Sequence, residues 1–540
     1  MKPVSNQDIV IGAYSLETLT TGMYEDPRHC LREYIQNAYD SIRSARADGV
    51  LGERDGLVSV AITGSAARPT LTIVDDGEGI PADSAVSTLV SVGASRKRSN
   101  SNAGFRGIGR LAGVAYCTTL RFTTTARGED IETVVEFDCA LMRSHMRPVA
   151  EVQSVEDVIR LCAKSETRSA PVDQHRMQVE MVGLVGVGLE FVEIEDLVPY
   201  LRQFSPVDYS DRFSFADRIR SFCASIGDPT GVIEVETRFK RERRQILKGY
   251  DDAAPTGGKA SKVYDIELLS SPDLGWHGWI GHSTFEGELT DNTVAGVRFR
   301  VKNIQVGSSD IIEDLAAGLT AGRTERRLQR WAVGEVFITN PSVVPNARRD
   351  GFEDSKDWRE IKEDIRKRVA KRVVTLVRNA SKSRSALKTI SNEIAALQRR
   401  VEAGQGDEVA LQALITTSER LLSKLASDKL SGVDPKEVGE FVAKVKGLKE
   451  VLVEALSKLR KQESEPDAET EPDDEPEADG DQEEAEGSGA DQEEDADDDE
   501  DAEAWSAEQL VDALIEVIAK EYGQPEADRL LGLARESLSD

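Results

Sequence analysis

The chain has 540 residues, 39% of them hydrophobic and 31% charged, which is too long for a single core and implies three or more domains. Its net charge of −30 is misleading: 24 of those charges lie in residues 463–503, which hold no Lys or Arg, leaving six on all the rest. The near-balanced remainder argues against a tight nucleic-acid binder. With no run of eighteen apolar residues, no signal-peptide pattern and five scattered cysteines lacking any C-x-x-C pair, the chain reads as a cytoplasmic protein without membrane segment, disulfide framework or zinc site.

Residues 28–45, RHCLREYIQNAYDSIRSA, carry Leu31, Tyr34, Ile35, Ala38 and Ile42 at helical spacing and form an amphipathic helix. Glu33, Asn37 and Asp40 stand at i, i+4 and i+7, along one stripe of that helix. A carboxylate and a carboxamide one turn apart can orient a water and hold a hard cation, because magnesium takes oxygen ligands and keeps several waters. Taken alone, the stripe reads as well as the solvated face of a surface helix.

Next, PTLTIVDDGEGI at 69–80 alternates like a strand and ends in an acidic turn, with Asp75, Gly77 and Gly79 in a D-x-G-x-G pattern. An Asp at a strand end can accept a hydrogen bond from an exocyclic amine, and the two glycines allow close backbone approach to a flat ligand. Then AGFRGIGRLAG at 103–113 places Gly104, Gly107 and Gly109 in a G-x-x-G-x-G arrangement after a polar run. Glycines opening a helix expose N–H groups to an anion. The spacing is not that of a dinucleotide fold, and no G-x-x-x-x-G-K-S/T phosphate loop occurs.

E-x-x-x-N-A-x-D, then D-x-G-x-G, then a polar loop into G-x-x-G-x-G resembles, in that order, the GHKL superfamily: gyrase, the ninety-kilodalton heat-shock chaperone, histidine kinases and MutL. The resemblance implies a Bergerat-type ATP-binding domain over residues 1–205, a sheet covered on one face by helices, with ATP and Mg2+ as ligands. It makes Glu33 the general base, Asn37 the magnesium ligand and Asp75 the partner of the adenine amine, with Asp40, Gly77 and Gly79 beside the nucleotide. Residues 91–110 become a lid over the phosphates, bringing Lys97, Gly104, Arg106, Gly107, Ile108 and Gly109 to them; Arg96 and Arg98 leave the choice of the lid cation open.

Past the lid, residues 119–127 and 132–138 read as strands, VEDVIRLCAK as a helix, and MQVEMVGL (177–184) as the last strand of this domain. A second α+β domain is expected over 206–375, opening with strands in IEVETRFKRERRQIL. In VAGVRFRVKNIQVG, the trio Arg298, Arg300 and Lys302 reads as a solvated strand face, since the aromatics of a base-stacking platform are missing. GEVFITNPSVVPNARRDGFED (334–354) resembles the middle-domain loop of the heat-shock chaperones, which sends an arginine to the γ-phosphate. That resemblance selects Arg349, with Arg348 the near competitor.

Residues 376–462 are helical hairpins or coiled coil, broken at AGQGD and LSGVDP. The acidic segment 463–503 is expected to be disordered, and 504–540 to form a small helical module that docks a partner. The fold class is therefore α+β with a helical C-terminal region. The function implied is a Mg-dependent ATPase, a homodimer acting like a chaperone on protein clients. The alternative is a MutL- or MORC-like clamp acting on DNA in genome maintenance or phage defence.

Overall fold

The computed structural model describes residues 11–20, 26–93, 109–147, 153–228, 231–239, 242–317, 319, 324–404, 407–430 and 432–463. The acidic segment from 464 onward, the C-terminal module, and lid residues Lys97, Gly104, Arg106, Gly107 and Ile108 lie outside the described residues.

The first part of the chain runs α1 (Tyr14–Thr20), α2 (His29–Ala47), β1 (Leu57–Ser65), β2 (Arg68–Asp75), α3 (Ala82–Val90), β3 (Cys117–Thr125), β4 (Ile131–Asp138), α4 (Cys139–His145), α5 (Val155–Cys162), β5 (Ala163–Ser169), β6 (Arg176–Leu184), α6 (Ile194–Phe204), α7 (Ala216–Ser225), β7 (Glu234–Phe239) and β8 (Glu242–Gln245). Its eight strands form one sheet in the order β5-β4-β3-β6-β2-β1-β7-β8. All neighbours are antiparallel except β1 and β7.

Two expectations change here. β6, read as the last strand of its domain, is followed in the same sheet by β7 and β8. The strands at 234–245, read as the opening of the second domain, extend this first sheet instead, through the parallel register Val58↔Val235 and Val60↔Thr237. Hydrophobic alternation reports that a strand is half-buried but not which sheet accepts it.

The second part runs β9 (Ala253–Ala254), β10 (Ser261–Ser271), β11 (Trp276–Ser283), β12 (Gly296–Val301), β13 (Ile304–Val306), α8 (Asp310–Ala316), α9 (Thr324–Leu328) and β14 (Val333–Ile338). These strands make a second sheet ordered β13-β12-β14-β11-β10-β9. Mixed α+β architecture is thus as expected, with both sheets in place. The two tryptophans of β11, Trp276 and Trp279, are 1% exposed, so this strand is central and buried on both faces.

Arg298 and Arg300 are not a solvated face: they are 1% and 2% exposed. Arg300 donates to Glu335 of β14, which also receives Lys248 Nζ at 3.0 Å and the Tyr209 hydroxyl. Lys302 is off the strand, in the β12–β13 turn beside Asn303, both at positive φ (52° and 62°). That turn reaches the first sheet's core. Asn303 Nδ2 donates to the Gly231 carbonyl at 3.1 Å, Arg300 Nη2 donates to the Gln203 carbonyl at 3.2 Å, and Ile304 joins the first core.

The C-terminal helices are α10 (Lys356–Ile365), α11 (Lys371–Glu402), α12 (Glu408–Leu425) and α13 (Pro435–Glu463), with a π-helical turn at Arg366–Ala370 joining the first two. Ser355 caps α10 and Asp407 caps α12 through bonds to Trp358 N and Ala410 N. The start of α11 packs Val373, Val377 and Ala380 into the second sheet's core. Its later Leu387, Ile390, Ile394 and Leu397 instead meet Leu421, Leu425, Val445 and Leu452 of the next two helices. The apolar stripes of these helices are thus covered, for these residues, within one chain, as a helical bundle requires.

Candidate functional site

Helix α2 is buried on almost every side. Leu31, Tyr34, Ile35, Ala38 and Ile42 enter the first core, as their periodicity predicts. The opposite stripe is covered too: Glu33 is 9% exposed and Asp40 4%, while Asn37 remains half-buried. A solvated helix face would not bury two carboxylates, because an ionised group leaves water only when something compensates it. The surface-helix reading of this stripe is therefore excluded.

The compensation at Glu33 comes from far along the chain. Arg349 Nε donates to Glu33 Oε1 at 3.2 Å, across 316 positions, with the two side chains only 8% and 11% exposed. Arg349 sits in a tight turn: Asn346 N donates to the Gly351 carbonyl at 3.0 Å and Arg349 N to the Asn346 carbonyl at 3.1 Å. Its φ is +56°, a left-handed conformation that a residue with a Cβ rarely adopts, so the fold holds this side chain in place at a local cost. Gly307 N, just past β13, donates to the Arg349 carbonyl at 2.8 Å. Arg348 is exposed, and its carbonyl accepts from Arg32 Nη2 at 2.8 Å. Of the two arginines left open, Arg349 is the one brought to Glu33.

Gly109 begins a 3₁₀ segment, Gly109–Ala115, whose backbone lies against Glu33; a Cβ at Gly109 would overlap that carboxylate. The Tyr34 hydroxyl ties this segment to α2, donating to the Arg110 carbonyl at 3.1 Å and accepting from Gly113 N at 2.9 Å. The helix stripe and the end of the glycine-rich stretch therefore meet at Glu33 and Tyr34.

Asp75 closes β2 at the middle of the sheet, flanked by Val58 and Met177, and is 4% exposed. Its Oδ1 accepts from Gly77 N at 3.0 Å, fixing the turn. The two glycines after it serve the protein's own packing. A Cβ on Gly77 would collide with Ser41 of α2, and one on Gly79, at φ +67°, with the Thr125 carbonyl of β3. His175 Nδ1 lies 2.7 Å from the Gly77 carbonyl and holds the same turn from β6's side.

One residue of this neighbourhood was singled out in the sequence for the wrong reason. Lys302, at the β12–β13 turn, faces Asp40; burial brings its pKa down to about 8, against the pull of Asp40 and with Arg43 and Arg349 pushing the same way as burial. Positive φ at both turn residues is usually met by Asn-Gly or Asp-Gly, so Lys302-Asn303 gives little signal of this turn in the sequence. Among the described residues no cluster of three or more His, Cys, Asp or Glu side chains has metal-binding geometry. The oxygen donor of Asn37, between two carboxylates, suits a hard cation that takes its remaining ligands from phosphate and water.

Residues 24–167 match the family model described as "Histidine kinase-, DNA gyrase B-, and HSP90-like ATPase". The match supports the GHKL superfamily for this segment and, with it, binding and hydrolysis of ATP, typically with Mg2+. It spans Glu33, Asn37, Asp40, Asp75 and the three glycines at 77, 79 and 109, and ends well before Arg349. No curated protein matches the chain. Among the described residues no helix is long and apolar enough to cross a membrane.

Proposed function

We propose that the chain is a Mg-dependent ATPase whose second domain completes the ATP site. The observation that carries this reading is the hydrogen bond from Arg349 to Glu33, made between a loop of the second sheet's domain and the central helix of the first. In this reading Asp75 accepts the adenine amine. Asn37 supplies an oxygen to Mg2+, which screens the phosphates when bound. Glu33 polarises the attacking water as general base. Arg349 gives up its bond to Glu33 for the γ-phosphate and stabilises the charge that builds there during transfer. Closure of the 91–110 lid and pairing of two chains follow nucleotide binding, and the energy is used on protein clients in a chaperone-like cycle.

A clamp acting on DNA is the second reading. It is favoured by residues 366–400, where eleven Lys and Arg stand against a single acid, Glu393, and where Lys371, Lys382 and Lys388 are exposed along the helix. Steady-state ATP hydrolysis measured alone, with duplex DNA and with an unfolded protein separates them. Stimulation by unfolded protein supports the chaperone-like reading, and stimulation by DNA overturns it in favour of the clamp. Absence of hydrolysis in all three overturns the ATPase itself.

A further inference from the structure

Between α2 and α6 on one side and β12 with its following loops on the other lies a cleft of about 620 Å³, separate from the adenine end of the site at Asp75. Two of its arginines are anomalous. Arg298 is 1% exposed, donates through Nη2 to the Asn292 carbonyl, and has no partner for Nε. Arg32 is 3% exposed, donates through Nη2 to the Arg348 carbonyl at 2.8 Å, and likewise has no partner for Nε. Neither forms an ion pair with a carboxylate among the described residues. The contrast with Arg300 is direct, because two positions along the same strand that guanidinium meets Glu335.

A guanidinium is rarely buried without its counter-charge, since the lost hydration is not recovered by one backbone carbonyl. Burial pulls the Arg298 pKa down to about 10, and Arg330 and Arg300 push the same way. The rim of the cleft is already satisfied: Arg28 pairs with Asp26 at 2.8 Å and Arg330 with Glu288 at 2.8 Å. The remaining acids at the rim include Asp310 and Asp350, which accept from Ser308 and Asn346. Tyr200 and Phe204, ring centroids 4.5 Å apart and tilted by 31°, line one side, with Arg28 over the Tyr200 ring and Arg32 over the Phe204 ring.

We infer that this cleft is a second ligand site, for an organic phosphate, with Arg298 and Arg32 as its anchors. A guanidinium fork suits phosphate oxygens bidentately, and the cleft has the volume of a small-ligand pocket. Half-buried Phe204 offers apolar contact to a sugar or base, and the rim aspartates accept from its hydroxyls. Arg349 borders the same cleft, so an occupant would also bear on turnover; that consequence rests on the proposed ATPase reading, whereas binding itself does not.

Uridine diphosphate and inorganic pyrophosphate, titrated calorimetrically into the full chain without ATP, test the site. The variants are Arg298→Met and Asp75→Asn. Wild type binds uridine diphosphate; affinity falls by about tenfold or more in Arg298→Met and is kept in Asp75→Asn. Any other pattern overturns the inference, including a loss in Asp75→Asn alone, which would put the ligand in the adenine site. Tighter binding of the uridine compound than of pyrophosphate supports an organic phosphate, and equal binding overturns that part. Arg298→Met removes an unpaired buried cation, so its unliganded melting midpoint is not below wild type; if it is, Arg32→Met carries the same titration. Failure of ATP binding in wild type, with the uridine titration intact, would sink the ATPase reading and leave this one standing.

Discussion

Two of the buried carboxylates that face an arginine, Glu335 and Glu33, differ in everything else. Glu335 is fully enclosed and receives Arg300, Lys248, the Tyr209 hydroxyl and, at 3.4 Å, the Trp279 indole. All four donors come from its own sheet or from the segment packed on it. Burial would raise its pKa, but Arg300 and Lys248 outweigh that and hold it down at about 2. Glu33 receives a single hydrogen bond among the described residues, from Arg349, and the donor comes from the loop that follows β14 of the other sheet. A carboxylate with every lone pair used is fixed in one state, whereas one with spare acceptor capacity and a removable partner can exchange a water, a cation or a proton. The first arrangement belongs to a core, and the second to a site.

Arginine 349 should break this contrast most strongly. Arg349→Ala is expected to cut ATP turnover on the order of 10³–10⁵-fold with little change in ATP affinity. Arg349→Lys should rescue poorly, because a lysine lacks the fork, and Arg348→Ala serves as the exposed control. Single-turnover kinetics with separate binding titrations check this, and normal hydrolysis in Arg349→Ala would reduce the Glu33 contact to a structural ion pair. Glu33→Ala comes next: turnover should fall by ~10²–10⁴-fold while nucleotide still binds. Steady-state hydrolysis equal to wild type would remove Glu33 as the base. Glu335→Ala sharpens the comparison from the other side. It leaves Arg300 and Lys248 buried without their carboxylate, and should cost about 3–5 kcal/mol in denaturant unfolding. Denaturation curves for Glu33→Ala and Glu335→Ala side by side would show whether the two carboxylates divide into catalytic and structural; equal stability losses would erase the distinction.

Local pattern was legible in the sequence where it depends on a short run of residues. The α2 stripe, the Asp75 turn and the strands read at 119–127 and 132–138 follow from periodicity and turn chemistry, and all are present, the strands at Cys117–Thr125 and Ile131–Asp138. What depended on distant partners was not. Arg298 and Arg300 alternate like solvent-facing strand residues, yet the strand lies inside its sheet and the loops carrying Tyr209 and Lys248 cover it. The strands at 234–245 show the same limit, since nothing in their composition says that β1 has a free edge. The glycines of the 75–79 turn read toward a ligand, and only the fold shows that their missing Cβ atoms also make room for Ser41 and Thr125. Arg349 was found by resemblance, and its left-handed backbone is visible only in the fold.

The smallest expected effect probes the charge balance of the Glu335 cluster. One carboxylate serves two cations there, so one positive charge is surplus. Arg300 keeps its proton, because Glu335 and its own high intrinsic basicity outweigh burial. Lys248 is therefore the group that yields: burial and the neighbouring Arg300 bring it down from 10.5 to about 7, against the pull of Glu335. Between those two values the unfolded chain binds a proton at this lysine that the folded chain has released. Stability must then rise with pH through that window, by at most about 1.4 kcal/mol per pH unit from this group. Lys248→Met removes the titration, so the difference between wild type and variant isolates it from every other ionising side chain. Denaturant midpoints for both proteins from about pH 7 to pH 10 should show wild type gaining on the variant as pH rises. A flat difference would mean that Lys248 stays charged on Glu335 across the range. The cluster would then hold a net positive charge away from water, and the four donors around Glu335 could no longer be read as a closed, neutral core.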